Sequence, residues 1–158
     1  MKELTVEEIV GYAIKIERES LLFYEDAVKI LQDDTLSALT KDLAKQEQEH
    51  IDRLKGLLQE EEGGKEYLKN RIKVDRSSLD RIVQTKEITE DSSPLSILET
   101  ALEREINTKK NYEMFLGIAH LNESVVSQFE ILKNMEATHA EIITNRINDL
   151  KQDKNSDV

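Results

Sequence analysis

Cysteine is absent from all 158 residues. That excludes a disulfide framework, a thiol nucleophile and any thiolate-held zinc or iron–sulfur module. Proline occurs once and glycine five times, so the two residues that most often end a helix are scarce. With Glu, Lys, Leu and Ile dominating what remains, an all-helical chain is expected. Long hydrophobic runs are missing too: none approaches the roughly 18 residues of a membrane span. Met1-Lys2-Glu3-Leu4-Thr5 is not followed by the apolar stretch of a signal peptide, so a cytoplasmic location is expected. Positive charge is in deficit, with 22 Lys and Arg against 33 Asp and Glu and a net charge of −11. Nucleic acid and anionic membranes are poor partners for such a surface. The length suits one domain, residues 1–158, with a sizeable core.

What is present is helical periodicity. Thr5-Val6-Glu7-Glu8 reads as a capping box, and Ile9, Ala13, Ile16, Ser20, Phe23, Ala27 and Ile30 mark one inward face. The break at Gln32-Asp33-Asp34 is short, so the second helix returns antiparallel to the first and continues to a stop at Gly63-Gly64. Ser93-Pro94 supplies an N-cap and an N1 proline for the third helix, and a short turn near His120-Leu121-Asn122 leads into the fourth. The spacing predicts helices over about 5–31, 35–62, 94–119 and 122–151, with a crossover over about 63–93. The crossover has no sustained period, apart from a short helical stretch suggested by Ser78-Leu79-Asp80-Arg81-Ile82-Val83. A helix of about 27 residues is roughly 40 Å long, and about 30 extended residues span more than that, so helix three is expected parallel to helix two. Two helix hairpins joined by one long crossover make a ferritin-like four-helix bundle.

Polar residues interrupt the inward faces. Glu47 and His50 lie among Leu36, Leu39, Leu43, Leu54 and Leu57, and Glu136 and His139 among Val125, Phe129, Leu132, Ile143, Ile147 and Leu150. Glutamate is so common here that a Glu three residues before two of the three histidines means little alone. Their inward facing carries the argument, because a buried glutamate is rare unless something pairs with it. Three residues apart on a helix, Glu and His share a face and reach one ion. Helix one then offers Glu17, followed by Ser20 and Tyr24, and helix three offers Glu105, followed by Thr108 and Tyr112. Glu103 is the alternative on helix three, but that alignment turns Lys109 and Lys110 towards the core. His120 falls off the site, at a solvated helix end.

Four buried carboxylates carry −4, which two divalent cations balance, leaving the imidazoles neutral. Oxygen ligands with one imidazole per ion suit iron, with manganese as the alternative. The expected set is Glu17, Glu47, His50, Glu105, Glu136 and His139, with Glu47 and Glu136 bridging. Without ions, desolvation and repulsion are expected to raise all four carboxyl pKa values, so that Glu105→Leu would stabilise the ion-free protein. A polar network in a non-catalytic helical module, serving structure or partner binding, is the alternative reading.

With these residues the chain resembles the rubrerythrin and ferritin-like di-iron carboxylate superfamily over roughly residues 5–150. Ala13, Tyr24, Ala101 and Tyr112 support the match. The resemblance implies a di-iron centre that reacts with hydrogen peroxide or dioxygen while oxidising ferrous iron or a redox partner. Tyr24 and Tyr112 would assist beside the ligands. Lacking cysteine, the chain has no rubredoxin module, so electrons are expected from an external donor protein or from ferrous iron. Thr108 stands where rubrerythrins tend to place an additional glutamate, which brings the ligand set closer to the symmetric six residues of bacterioferritin-like proteins. Nothing after residue 151 resembles the additional C-terminal helix of ferritin subunits. A homodimer, with the crossover available for exchange between subunits, is expected.

Overall fold

Thr5 turns the chain from a short strand into the first helix: its Oγ1 accepts a hydrogen bond from Glu8 N at 3.1 Å, satisfying one of the free amides of the first turn. A computed structural model of the chain describes residues 2–59, 65–74 and 87–156. Four long helices account for most of them: α1 Val6–Ile30, α2 Asp34–Gln59, α3 Pro94–Leu116 and α4 Glu123–Ser156. They form the expected all-α four-helix bundle. Among the described residues no helix is long and apolar enough to cross a membrane.

The helix starts follow the local chemistry. Asp33 Oδ1 accepts from Leu36 N at 2.9 Å, Ser93 accepts from Ser96 N at 3.1 Å with Pro94 behind it, and Asn122 Oδ1 accepts from Ser124 N at 2.8 Å. Gly117 ends α3 three residues before the expected end near 119, its amide bonding back to Glu113 and Met114 carbonyls. His120 then adopts a left-handed φ of 67°, and it is exposed. The fourth helix runs past the expected end near 151 to Ser156, because no glycine or proline stops it.

The crossover carries structure that periodicity did not reveal. Residues Lys65–Lys69 form a 3₁₀ turn, and β2 (Arg71–Val74) pairs antiparallel with β1 (Lys2–Thr5), Leu4 opposite Ile72. Four residues are too few for a period-2 signal, and the partner strand lies far away in sequence. Leu4, Ile72 and Val74 are buried, so the small sheet caps one end of the bundle. The helical stretch suggested at Ser78–Val83 and the stop at Gly63-Gly64 lie outside the described residues.

Two apolar clusters fill the bundle, one at each end. The first joins Val6, Ile9 and Ala13 of α1 to Leu54, Phe115, Phe129 and the sheet. The second joins Phe23, Tyr24 and Ala27 to Leu36, Leu98, Ala101 and Ile143, with Ile88 packed against it. Each buried aliphatic side chain contributes about 1.5–3 kcal/mol. The chain leaves the sheet at one end and reappears at Ile88 at the other, so α3 starts beside the start of α2 and runs parallel to it. Between the clusters lies a polar layer.

Candidate metal centre

Each helix places one inward glutamate at the same level. Glu17, Glu47, Glu105 and Glu136 are buried, with His50 and His139 one turn after the α2 and α4 glutamates. Glu103, the alternative on helix three, is exposed and lies outside this layer. The two imidazoles lie nearly parallel, with centroids 5.5 Å apart. Their Nδ1 atoms face the carboxylates. His50 Nδ1 is 3.3 Å from Glu17, 3.5 Å from Glu47 and 3.2 Å from Glu136. His139 Nδ1 is 3.6 Å from Glu105, 3.9 Å from Glu47 and 4.0 Å from Glu136.

Ligand atoms within 4.8 Å of one another fall into two groups. One is Glu17, Glu47, His50 and Glu136; the other is Glu47, Glu105, Glu136 and His139. Glu47 and Glu136 belong to both. Glu17 and Glu105 each belong to one.

Two tyrosines cross between the halves. Tyr24 of α1 donates to Glu105 Oε1 at 2.5 Å, and Tyr112 of α3 donates to Glu17 Oε1 at 2.6 Å. Burial pushes both phenols well above their usual range, and the neighbouring carboxylates push further. They therefore remain donors at neutral pH.

The four carboxyls do not behave alike. Burial, then repulsion from Glu17 and Glu105, raises Glu47 well above the usual carboxylate range. Burial followed by repulsion from Glu105, Glu17 and Glu47 does the same to Glu136. Burial pushes Glu17 up as well, but its close neighbour Glu47, hydrogen bonds with His50 and Tyr112 and the His50 charge outweigh it and bring Glu17 to about 2. At Glu105 burial is likewise outweighed, by Glu136, His139 and Tyr24, and its pKa is lowered. The expectation that all four rise is therefore corrected: Glu47 and His50 at Glu17, and Glu136 and His139 at Glu105, with a smaller addition from each tyrosine, split the four into a raised pair and a lowered pair. Glu105→Leu would leave Tyr24 without its acceptor, so the stabilisation expected of that change does not follow.

The donor set fits divalent cations. Among the described residues, both oxygens of Glu47 and of Glu136, Glu105 Oε2 and His139 Nδ1 are buried without a hydrogen-bond partner. Buried polar atoms are rarely left so, and an ion bound among them satisfies them together. Sequence reasoning missed Gln46, whose Oε1 lies 2.5 Å from His139 Nε2. Its place immediately before Glu47 was the only signal, and periodicity puts that position off the inward row.

An all-α four-helix bundle with a buried carboxylate–imidazole layer able to take metal is the class that fold and site define. Within that class the chain belongs to the Rubrerythrin family, whose model matches residues 8–90. The matched stretch contains α1 and α2, with Glu17, Glu47 and His50. Neither curated proteins nor solved structures give a significant match.

Proposed function

We propose that the protein holds two iron ions in its core and works as an oxidoreductase on hydrogen peroxide or dioxygen, oxidising ferrous iron or a redox partner. The supporting observation is the four orphaned oxygens of Glu47 and Glu136, placed between two imidazoles. Glu17 and His50 would hold one ion, Glu105 and His139 the other, and Glu47 and Glu136 would bridge them. A ferrous pair supplies two electrons at adjacent centres, the number that cleaves a peroxide O–O bond.

The remaining work falls to the protein. Tyr24 and Tyr112 orient Glu105 and Glu17 by their hydrogen bonds, leaving the second oxygen of each carboxylate to face the layer. The apolar clusters above and below keep bulk water from the layer. Thr108 is buried three residues after Glu105, where a fifth carboxylate would otherwise stand, so no strong preference for peroxide over dioxygen is expected.

Metal analysis of protein purified without chelator is the first test, with two ions per chain expected. The ferrous-loaded protein is then mixed anaerobically with peroxide, or with dissolved dioxygen, and oxidation is followed optically. Uptake of one ion or fewer under iron-replete conditions would remove the two-ion reading. Two ions with no oxidation by either oxidant would leave a structural metal module.

A further inference from the structure

Gln46 sits one residue before Glu47, turned towards α4. His139 Nε2 donates to Gln46 Oε1 at 2.5 Å, and Gln46 Nε2 donates to Asp42 Oδ2 at 2.8 Å. A carboxylate only accepts, so Asp42 draws the amide NH2 to itself and leaves the amide oxygen for the imidazole. That oxygen in turn holds a proton on His139 Nε2, leaving Nδ1 as the ring atom that faces Glu47, Glu105 and Glu136.

The other half has no such device. Aligning the two Glu-x-x-His motifs puts Met135 opposite Gln46 and Ile131 opposite Asp42. Neither offers a carbonyl or carboxylate oxygen in its side chain. Accordingly His50 Nε2 is buried without a hydrogen-bond partner among the described residues. An imidazole that ligates through Nδ1 carries its proton on Nε2, and an N–H buried without an acceptor opposes that form. Gln46, Met135 and Ile131 also border one surface cavity of about 430 Å³ that reaches His139, so the polar relay and its apolar counterpart meet there.

We propose that Gln46, oriented by Asp42, is a positioning residue that prepares His139 for metal and makes the two halves of the centre unequal. The Glu105–His139 half binds its ion first and more tightly. This rests on the two-ion reading above. Ligand-orienting partners of this kind change metal affinity by about 10–100-fold when removed.

The test uses full-length protein, cobalt(II) calorimetry under anaerobic conditions and ¹⁵N spectra of the ion-free imidazoles. Wild type is expected to bind cobalt in two steps of different affinity. Gln46→Met should weaken the tighter step about 10–100-fold, whereas Gln46→Glu, which keeps an acceptor oxygen, should restore it. Met135→Gln should strengthen the weaker step. In the ion-free spectra, His139 should show a fixed Nε2–H form that Gln46→Met abolishes, a change that mere loss of packing would not produce. Equal steps in wild type, or affinities and ¹⁵N shifts that Gln46→Met leaves unchanged, would overturn the proposal. Absence of cobalt uptake would instead refute the two-ion reading, and the spectra would still decide whether Gln46 fixes the His139 tautomer.

Discussion

Replacing Glu136 with leucine should stabilise the ion-free protein at pH 7, although it removes a residue from the centre of the bundle. Glu136 is buried, neither oxygen has a hydrogen-bond partner, and burial and three carboxylate neighbours raise its pKa. Ionising it therefore costs stability, and its removal strips no tyrosine hydroxyl of its acceptor, because Tyr24 and Tyr112 donate to Glu105 and Glu17. Apolar replacement of buried ionic groups commonly gains about 1–4 kcal/mol. At this chain length each kcal/mol shifts Tm by about 2–4 °C. Glu105→Leu should act in the opposite direction. It leaves the Tyr24 hydroxyl buried without an acceptor, at a cost of about 1–3 kcal/mol, and removes a carboxylate whose ionised form the fold favours. Thermal unfolding followed by circular dichroism in chelator compares the two variants with wild type. The gain for Glu136→Leu should shrink as pH falls towards and below 4.5, the ordinary carboxyl value, because below it the wild-type side chain is neutral in both states. A Glu136→Leu protein no more stable than wild type at pH 7, or a Glu105→Leu protein equally stabilised, would refute the division of the carboxyls.

Ion-free wild type should be most stable near pH 4.5. Glu47 and Glu136 have raised pKa values, so their contribution is lost as pH rises above that point; Glu17 and Glu105 have lowered values, so theirs is lost as pH falls towards about 2. Urea unfolding across pH 3–8 measures this, and a stability that climbs steadily to neutrality would contradict it. Added metal should reverse the neutral-pH loss by mass action, by about 2.7 kcal/mol at a free concentration a hundred times Kd. Tyr24→Phe and Tyr112→Phe should each destabilise by about 1–3 kcal/mol, because each leaves a buried carboxylate oxygen unpaired; chemical denaturation reads it, and a large inequality would show that the two crossing bonds are not equivalent. Stopped-flow oxidation of the ferrous-loaded protein should give similar rates with peroxide and dioxygen. A peroxide rate about a hundredfold higher, roughly 2.7 kcal/mol of barrier, would contradict the argument from Thr108.

The helices were legible because their signals are local. Thr5 and Ser93 mark starts by chemistry that acts within three residues, and Ile9, Ala13, Ser20 and Phe23 are buried as their spacing requires. Glu105 was separable from Glu103 for the same reason: a step of two residues turns a side chain to another face. The sheet was not legible. Leu4 and Ile72 meet only because the crossover folds back on the start of α1, and short strands with a distant partner carry no signature of their own.

Charge counting foresaw a layer with a formal deficit but not how the layer divides it. A sum of four carboxylates is blind to which neighbours face each one, and those neighbours decide the outcome here. Tyr24 follows Glu17 in sequence yet donates to Glu105, while Tyr112 follows Glu105 and donates to Glu17. Each tyrosine thus adds to support that the glutamate draws first from its own hairpin, Glu17 from Glu47 and His50 and Glu105 from Glu136 and His139, leaving the raised pKa values to Glu47 and Glu136, the residues shared by both groups. The exchange ties α1 to α3 through the polar layer. A lone hairpin would leave one oxygen of its terminal glutamate without the tyrosine that donates to it, so the hydrogen bonds of the layer are complete only with both halves of the chain.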